Sequence, residues 1–375
     1  MRQAKIEIVE SYVRGLLRTN LRQGRDKPSG FDYSYLCPSP DTYRGQVFWN
    51  SCFHAIAIAH LDPQQAQAEL RTLVAGQEED GFIGHTQFWG VPLWGLLQMA
   101  RFSQTPVGER LRRTGLMQPP MLAQAVERVA EITNDPAFPP EMMDALDLHH
   151  SWLATRRAPG EDCLVVTLSP HENGLAQTPA YDSYLNLPSR PSRWRAAQKD
   201  RWTEVRNWLA TYDSARMLRA GHFYVKDVLV NVLYADSLET MSRLHRKQGN
   251  AATANAYAGL STKVQESLFS KMFDLGRGAF FSLAGKEEVR TEPLTISSLV
   301  PLALRTLPRA IATQLVGAHL TNMAEFWLRH PLPSIAANEH SYMPQGSNLS
   351  VSRGFTSVPL NWLLWRGLNH HGFTE

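Results

Sequence analysis

Helical periodicity interrupted by long loops is the feature that most constrains the fold of this chain. Seven segments carry apolar residues at the spacing of an amphipathic helix, and we predict helices over residues 4–22, 64–76, 121–133, 202–219, 226–248, 252–271 and 308–329. Long connections rich in Pro and Gly join them, at 24–47, 78–93, 103–120, 158–200 and 331–359. Loops longer than about 12–15 residues in a compact domain usually have a function. The sequence therefore predicts an all-α fold with its functional residues in the loops.

Two arrangements of paired helices fit this pattern. An (α/α) toroid places the long loops around the mouth of one cavity. An α-solenoid is the alternative, but the sequence shows no repeat of fixed period. A length of 375 residues is common for a single toroidal or barrel domain. We therefore predict one (α/α) toroid domain over residues 1–375.

Charge and cysteine content narrow the class of protein. The net charge of +3 is close to neutral and the basic residues are scattered, which disfavours nucleic-acid binding. Cys37, Cys52 and Cys163 are sparse and odd in number, which predicts reduced thiols in the cytoplasm and no disulfide framework. The sequence begins without an apolar leader and has no apolar run of membrane-spanning length, so we expect no membrane partner.

Several motifs follow one another in the order of a known family. The loop from Pro170 to Asp182 reads Pro-His-Glu-Asn-Gly-Leu-Ala-Gln-Thr-Pro-Ala-Tyr-Asp. It is accompanied by Trp49-Asn50-Ser51-Cys52-Phe53-His54, Gln118-Pro119-Pro120, Phe223 to Val228, Arg353-Gly354 and Asn361-Trp362-Leu363-Leu364. Over roughly residues 30–373 this series resembles glycoside hydrolase family 63, most closely its mannosylglycerate and glucosylglycerate hydrolases. Each motif is weak alone, and their shared order is the strong signal.

The resemblance implies a fold and a mechanism. The fold is an (α/α)6 six-hairpin toroid, either complete or lacking its last hairpin. The mechanism is inverting hydrolysis, which needs a carboxylic acid on the leaving-group side and a carboxylate that activates water. The family's acid falls at Ala176, which cannot transfer a proton. The family's base follows the Asn361-Trp362 segment, and neither Glu339 nor Glu375 matches it.

Three other carboxyl groups are therefore the candidate catalytic residues. They are Glu172 and Asp182, which flank Ala176, and Asp227 in the motif from Phe223 to Val228. For Glu172 the structural alternative is that it orders the loop by accepting backbone N–H groups.

Aromatic and polar residues in the same motifs are the candidate ligand contacts. We predict substrate binding by Trp49, Asn50, Gln118, Tyr43, Trp89, Tyr181 and Arg353. Trp49 is either a sugar platform or a core aromatic beside Phe48 and Phe53. Asn50 stands where the family has Asp, so it keeps the size and loses the charge. The adjacent His149 and His150 point about 100° apart on a helix and have no further ligand at suitable spacing, so we predict no metal and no other cofactor.

Three functions remain open at this point. The first is a glycoside hydrolase of the mannosylglycerate or glucosylglycerate type. The second is a relative that binds a sugar or another small ligand, or acts as a scaffold, without hydrolysis. The third is a cofactor-free dehydratase, isomerase or cyclase that uses the same cavity. Fold alone does not decide among them.

The last apolar segment bears on the oligomeric state. Residues 360–372 predict a short helix with Leu360, Leu363, Leu364 and Leu368 on one face. In the family a further hairpin follows and closes the ring. Three arrangements are therefore open: an open cavity, a shifted N-terminal helix that covers the leucine face, or a homodimer. We predict the homodimer.

Overall fold

The computed structural model describes residues 2–91, 112–344 and 352–373, with side chains from residue 6 onward. Parts of the predicted loops 78–93, 103–120 and 331–359, and the terminal Glu375, lie outside the described residues. The chain groups into two compact units, Met1–Met117 with Met121–Ser151, and Gln118–Pro120 with Trp152–Glu375. One domain over residues 1–375 stays a prediction.

The first unit is mostly helical. Its helices are α1 (Arg2–Asn20), α2 (Phe48–Ile58), α3 (Pro63–Ala75), α4 (Leu122–Thr133) and most of α5 (Phe138–Arg156). Its strands are β1 (Leu21–Asp26), β2 (Phe31–Leu36), β3 (Gln46–Val47) and β4 (Thr86–Gln87). The antiparallel pair β1 and β2 places Leu21 opposite Leu36, and β3 pairs antiparallel with β4.

Helix α3 illustrates how the sequence determines where a helix of this unit begins and which face it buries. Asp62 caps its N-terminus by accepting a hydrogen bond from the Gln65 N–H, and Pro63 occupies the first turn, where no backbone donor is needed. Ala66, Leu70 and Leu73 follow at helical spacing and are fully buried. This face of α3 therefore packs against the apolar helices α2 and α4.

The second unit contains the remaining helices and strands. Its helices are α6 (Arg193–Leu209), α7 (Ser214–Ala220), α8 (Val228–Lys247), α9 (Ala251–Ser267), α10 (Arg309–Gln314) and α11 (Val358–His370). It also has 3-10 helices at Pro179–Tyr181 and Ile296–Ala303, and π-helical turns at Leu268–Met272 and Leu315–Leu320. Its strands are β5 (Val225–Lys226), β6 (Phe273–Asp274), β7 (Ala279–Phe280), β8 (Leu283–Ala284) and β9 (Val289–Arg290).

Helices α8 and α9 form a hairpin with one inner and one outer member. Nearly every residue of α8 is buried, whereas α9 buries only a narrow face through Ala254, Ser261, Val264 and Gln265. The inner helix also packs on the 3-10 helix Ile296–Ala303. A helix that is apolar all round belongs in a core, and a helix with one apolar stripe belongs at its surface.

The leucine face of α11 is covered within the chain itself. Leu360, Leu363 and Leu364 are fully buried, and α11 packs on the 3-10 helix Ile296–Ala303. A second subunit is therefore not needed to cover these leucines, because a buried short helix of the same chain contacts them. The homodimer stays a prediction, but this face no longer supports it.

Several element boundaries differ from the predictions, although the helix-dominated fold class is confirmed. The predicted loop 24–47 contains the β1–β2 hairpin, the predicted helix 202–219 is interrupted between α6 and α7, and the predicted helix 308–329 ends at Leu320. No described helix is both long and apolar enough to cross a membrane.

Candidate functional site

The loop that carries Ala176 lies in the second unit. It leaves a bridge between Thr167 and Val225 and ends in the 3-10 helix Pro179–Tyr181, which Thr178 caps. The backbone carbonyl of Ala176 accepts a hydrogen bond of 2.7 Å from the Ser352 hydroxyl. At this position the chain therefore presents a methyl group and a peptide, and no side-chain proton donor.

Glu172 is tied into a fully buried ion pair. Its two oxygens accept hydrogen bonds from both terminal nitrogens of Arg157, at 2.6 and 2.8 Å, and neither side chain is exposed. Glu172 also accepts the backbone N–H of Leu168 at 2.6 Å. Two charge-assisted bonds in this parallel geometry fix the position and orientation of the carboxylate. This is the arrangement expected if Glu172 orders the loop.

Asp182 is held in the same way by Arg353. The two side chains form a bidentate pair at 2.6 and 2.7 Å, and the guanidinium also donates to the Ser189 carbonyl at 3.1 Å. Burial raises the pKa of Asp182 to about 6, and the guanidinium opposes that shift. Two predicted residues, one catalytic and one binding, therefore meet each other.

Asp227 forms the third buried cluster around this loop. It caps α8 by accepting the Val230 N–H, and it accepts the Tyr181 hydroxyl at 2.6 Å. Asn173 in turn donates to that hydroxyl at 2.9 Å. Burial raises the pKa of Asp227 and also that of Tyr181. Tyr181 and Asp227 were predicted as separate site residues, and the structure brings them together.

Helix α6 supplies polar groups that the sequence analysis missed. Glu204 accepts the hydroxyls of Ser169 and Tyr212, and Asp200 accepts the side-chain amide of Gln177, next to Ala176, at 3.2 Å. Burial raises the pKa of Glu204 to about 7 and also raises that of Asp200, and His171 opposes both shifts. A signal was available, because the polar residues Asp200, Thr203, Glu204 and Asn207 recur at helical spacing.

The predicted binding residues of the first unit have different environments. Trp49 is buried with its ring edge-on to Phe53 at 5.2 Å, which is the placement of a core aromatic. Asn50 is half-buried, whereas Tyr43 is 63% exposed. The indole N–H of Trp89 donates to Gln46 at 2.9 Å. Gln118, in the second unit, is buried.

One cavity in the second unit lies away from the predicted residues. A cavity of about 470 Å³ in the second unit is lined by α8, α9, the π-helical turn after α9 and Thr306, and by none of the predicted residues. In the described part of the chain, no three His, Cys, Asp or Glu side chains group as metal ligands. The absence of a metal or other cofactor stays a prediction.

The motif order, the helical hairpins and the loop around Ala176 together define a protein of the glycoside hydrolase class. The chain belongs to the family of mannosylglycerate hydrolase MGH1-like glycoside hydrolase domains, whose model matches residues 43–375. Its relatives include the mannosylglycerate hydrolase of Rubrobacter radiotolerans, 25% identical over 91% of this chain and 82% of that protein. Mannosylglycerate hydrolase MGH1 of Selaginella moellendorffii is also 25% identical, over 91% of this chain and 72% of that protein. The predicted membership of family 63 is confirmed.

A solved structure supports the fold. The family 63 mannosylglycerate hydrolase of Thermus thermophilus, solved with Tris and D-glycerate, superposes with a TM-score of 0.81 at 23% identity. The match covers 96% of this chain and 87% of that one. The same enzyme has been solved in complex with glucose. This likeness confirms the predicted fold class, that of the (α/α)6 glycosidases.

Proposed function

We propose that this chain binds a small sugar-like ligand through the family fold and does not hydrolyse glycosides by the family's mechanism. The proposal rests on the expected position of the family's acid at Ala176. One observation supports it: each of the three neighbouring candidate carboxyl groups is held by a buried partner. A general acid must carry a proton and lie within hydrogen-bond reach of the leaving oxygen.

Each candidate fails the second requirement. Glu172 and Asp182 are paired bidentately with the buried guanidinium groups of Arg157 and Arg353, which hold both carboxyl groups in the loop and away from a substrate. Asp227 is 1% exposed and already accepts the Tyr181 hydroxyl and a backbone N–H. Moving any of the three toward a substrate would leave a buried charged or polar partner unpaired, which is costly.

The class of ligand comes from the relatives. D-glycerate and glucose occupy solved structures of the Thermus thermophilus enzyme, and we extend this class of ligand to the present chain. Arg353 and Tyr181, as placed, are held by Asp182 and Asp227 and support the loop rather than the ligand. Asn50, Tyr43, Trp89 and Gln118 remain the proposed contacts. The cytoplasmic location inferred from the cysteines belongs to the same proposal.

Hydrolysis and binding are tested separately. The purified protein should turn over mannosylglycerate and glucosylglycerate negligibly, since lost general-acid assistance alone forfeits about 10²–10⁴-fold and no family base can be assigned. D-glycerate or glucose should raise the melting temperature. Ala176→Asp alone should not restore turnover, because inverting hydrolysis also needs a second carboxylate that is free to activate water.

Robust turnover by the unmodified protein would refute the proposal. Glu172→Gln and Asp182→Asn would then identify the carboxyl group responsible. If neither ligand nor any close analogue shifts the melting temperature, the binding half of the proposal fails and a scaffold role remains.

One observation supports the alternative of other acid–base chemistry. The pKa of Glu204 lies near 7, a value suited to proton transfer at neutral pH. Incubation with D-glycerate or glucose in D₂O, followed by NMR, detects proton abstraction as deuterium incorporation next to a carbonyl or carboxylate. Incorporation that Glu204→Gln abolishes would favour this alternative.

A further inference from the structure

Helix α6 is polar on its buried face and aromatic on its exposed face. Asp200, Thr203, Glu204 and Asn207 are buried, and Asn207 donates to the Leu168 carbonyl at 2.9 Å. By contrast, Trp194, Trp202, Trp208 and Leu209 are 70%, 62%, 53% and 67% exposed. A surface helix normally has the opposite arrangement. The inversion places large apolar side chains in water, where they contribute nothing to the stability of the fold.

The exposed aromatic residues form one stripe. At about 100° per residue, the three tryptophans lie within roughly 120° of one another around the helix. At about 1.5 Å per residue, the stripe from Trp194 to Trp208 is roughly 21 Å long. Large exposed apolar patches on soluble proteins usually mark interaction sites.

The exposed charges on α6 itself have a single sign. The structure describes all of α6, and its exposed charged side chains are Arg193, Arg195, Arg201 and Arg206. Lys199 is half-buried, and both acidic residues of the helix face inward. Arg216 and Arg219 on the neighbouring helix α7 are exposed as well. Since the whole chain carries only +3, this face concentrates positive charge and complements an anionic partner.

We propose that the exposed face of α6 binds the surface of an anionic lipid bilayer. Trp is enriched at the membrane–water interface, where its ring spans the apolar and polar regions. Arg forms bidentate hydrogen bonds with phosphate groups. Helices that lie in the interface combine these two residue types.

Binding of this kind needs no membrane-spanning helix. The prediction of no membrane partner rested on the lack of an apolar segment long enough to cross a bilayer. A helix that lies on the bilayer surface does not contain such a segment. The polar contacts of the buried face keep α6 attached to its own unit while the tryptophans enter the headgroup region. A protein partner is less well matched, because protein interfaces mix charges of both signs. Single-stranded nucleic acid also combines stacking with positive charge and is the competitor that the test must exclude.

Vesicle co-sedimentation tests the proposal on the full chain. The protein should bind phosphatidylcholine vesicles that contain phosphatidylglycerol, bind pure phosphatidylcholine much more weakly, and dissociate in high salt. Tryptophan emission should shift to shorter wavelength on binding. Replacing Trp194, Trp202 and Trp208 with Ala should reduce partitioning at least tenfold. Trp365→Ala is the matched control, because Trp365 is 61% exposed on α11, outside this face.

A second pair of variants tests the charge. The double variant Arg195→Gln/Arg201→Gln should lose about fivefold in partitioning per arginine. The control Lys263→Gln/Arg305→Gln removes the same net charge from exposed positions outside α6 and α7, and should bind like the unmodified protein. Circular dichroism checks that each variant is folded.

Four outcomes of the binding assays would overturn the proposal. They are no vesicle binding, equal binding to neutral and anionic vesicles, equal losses in the α6 variants and their controls, and tighter binding to a single-stranded oligonucleotide than to anionic vesicles. A concentration-dependent dimer in which the three tryptophans are shielded from a soluble quencher would also refute it, because a second copy would then cover the face.

Discussion

A double-mutant cycle on Arg157 and Glu172 tests whether this carboxylate supports the loop or performs chemistry. Both side chains are completely buried, and they are joined by two short charge-assisted hydrogen bonds. Arg157→Met leaves a carboxylate without its counter-charge, and Glu172→Met leaves a guanidinium without one. Removal of one partner from a buried pair typically costs about 3–5 kcal/mol of unfolding free energy.

The double variant should be more stable than the sum of the two single losses predicts. Two methionines bury no charge, so the desolvation penalty disappears together with the attraction. The remaining loss of unfolding free energy then comes mainly from the Leu168 N–H, which no longer has the carboxylate as its hydrogen-bond acceptor. An unsatisfied buried donor costs about 1–3 kcal/mol. The coupling between the two sites should therefore amount to several kcal/mol.

Urea unfolding followed by circular dichroism measures all four proteins. The midpoints should fall strongly for each single variant and recover in part for the double variant. Additive losses would refute the account of Glu172 as one half of a buried pair. A Glu172 variant that unfolds like the unmodified protein would free this residue for a catalytic role.

Two further predictions concern stability. Burial raises the pKa of Glu69 to about 8, above its ordinary value of 4.5. The contribution of Glu69 to the unfolding free energy is therefore complete below about pH 4.5 and is lost as pH rises toward 8. The unfolding free energy should fall by about 1.4 kcal/mol per pH unit over this window, and the urea midpoint should fall with it. Glu69→Gln should flatten this pH dependence, and an unchanged slope would contradict the assignment. Gly367→Ala should destabilise the protein by about 1–3 kcal/mol, because its Cβ would lie 2.2 Å from the Leu302 carbonyl oxygen. Gly259→Ala, with open space around it, should instead stabilise α9 by up to about 1 kcal/mol in the same assay, and equal effects of the two substitutions would exclude the clash.

Local periodicity predicted the helices well where one face alone is apolar. Helices α3, α4 and α9 have this pattern and lie close to their predicted positions. Helix α2 is apolar over most of its length and has few polar residues to mark an outer face, so its periodicity is weak, and it was recognised only as a motif. The β1–β2 hairpin lacks clear alternation between apolar and polar residues, although Pro28-Ser29-Gly30 is a turn signal.

The sequence identified residues of the candidate site, but it did not show which of them pair with each other. The motifs supplied Asp182, Arg353, Tyr181 and Asp227, but no spacing rule connects residues that lie 171 positions apart in the sequence. Arg157 was missed for the same reason, because its role depends on a partner in the following loop. Pairing of this kind is set by tertiary packing, which a single sequence does not encode as a local pattern.

Three buried contacts hold the loop that carries Ala176. Arg157, Arg353 and Asp227 fix the loop through Glu172, Asp182 and Tyr181. At position 176 the observed loop contact is made by the backbone carbonyl, which a side-chain substitution leaves in place. The three buried contacts do not involve the side chain at residue 176. The conformation of the loop and the chemistry at that position are therefore separable, and the fold alone does not determine the activity.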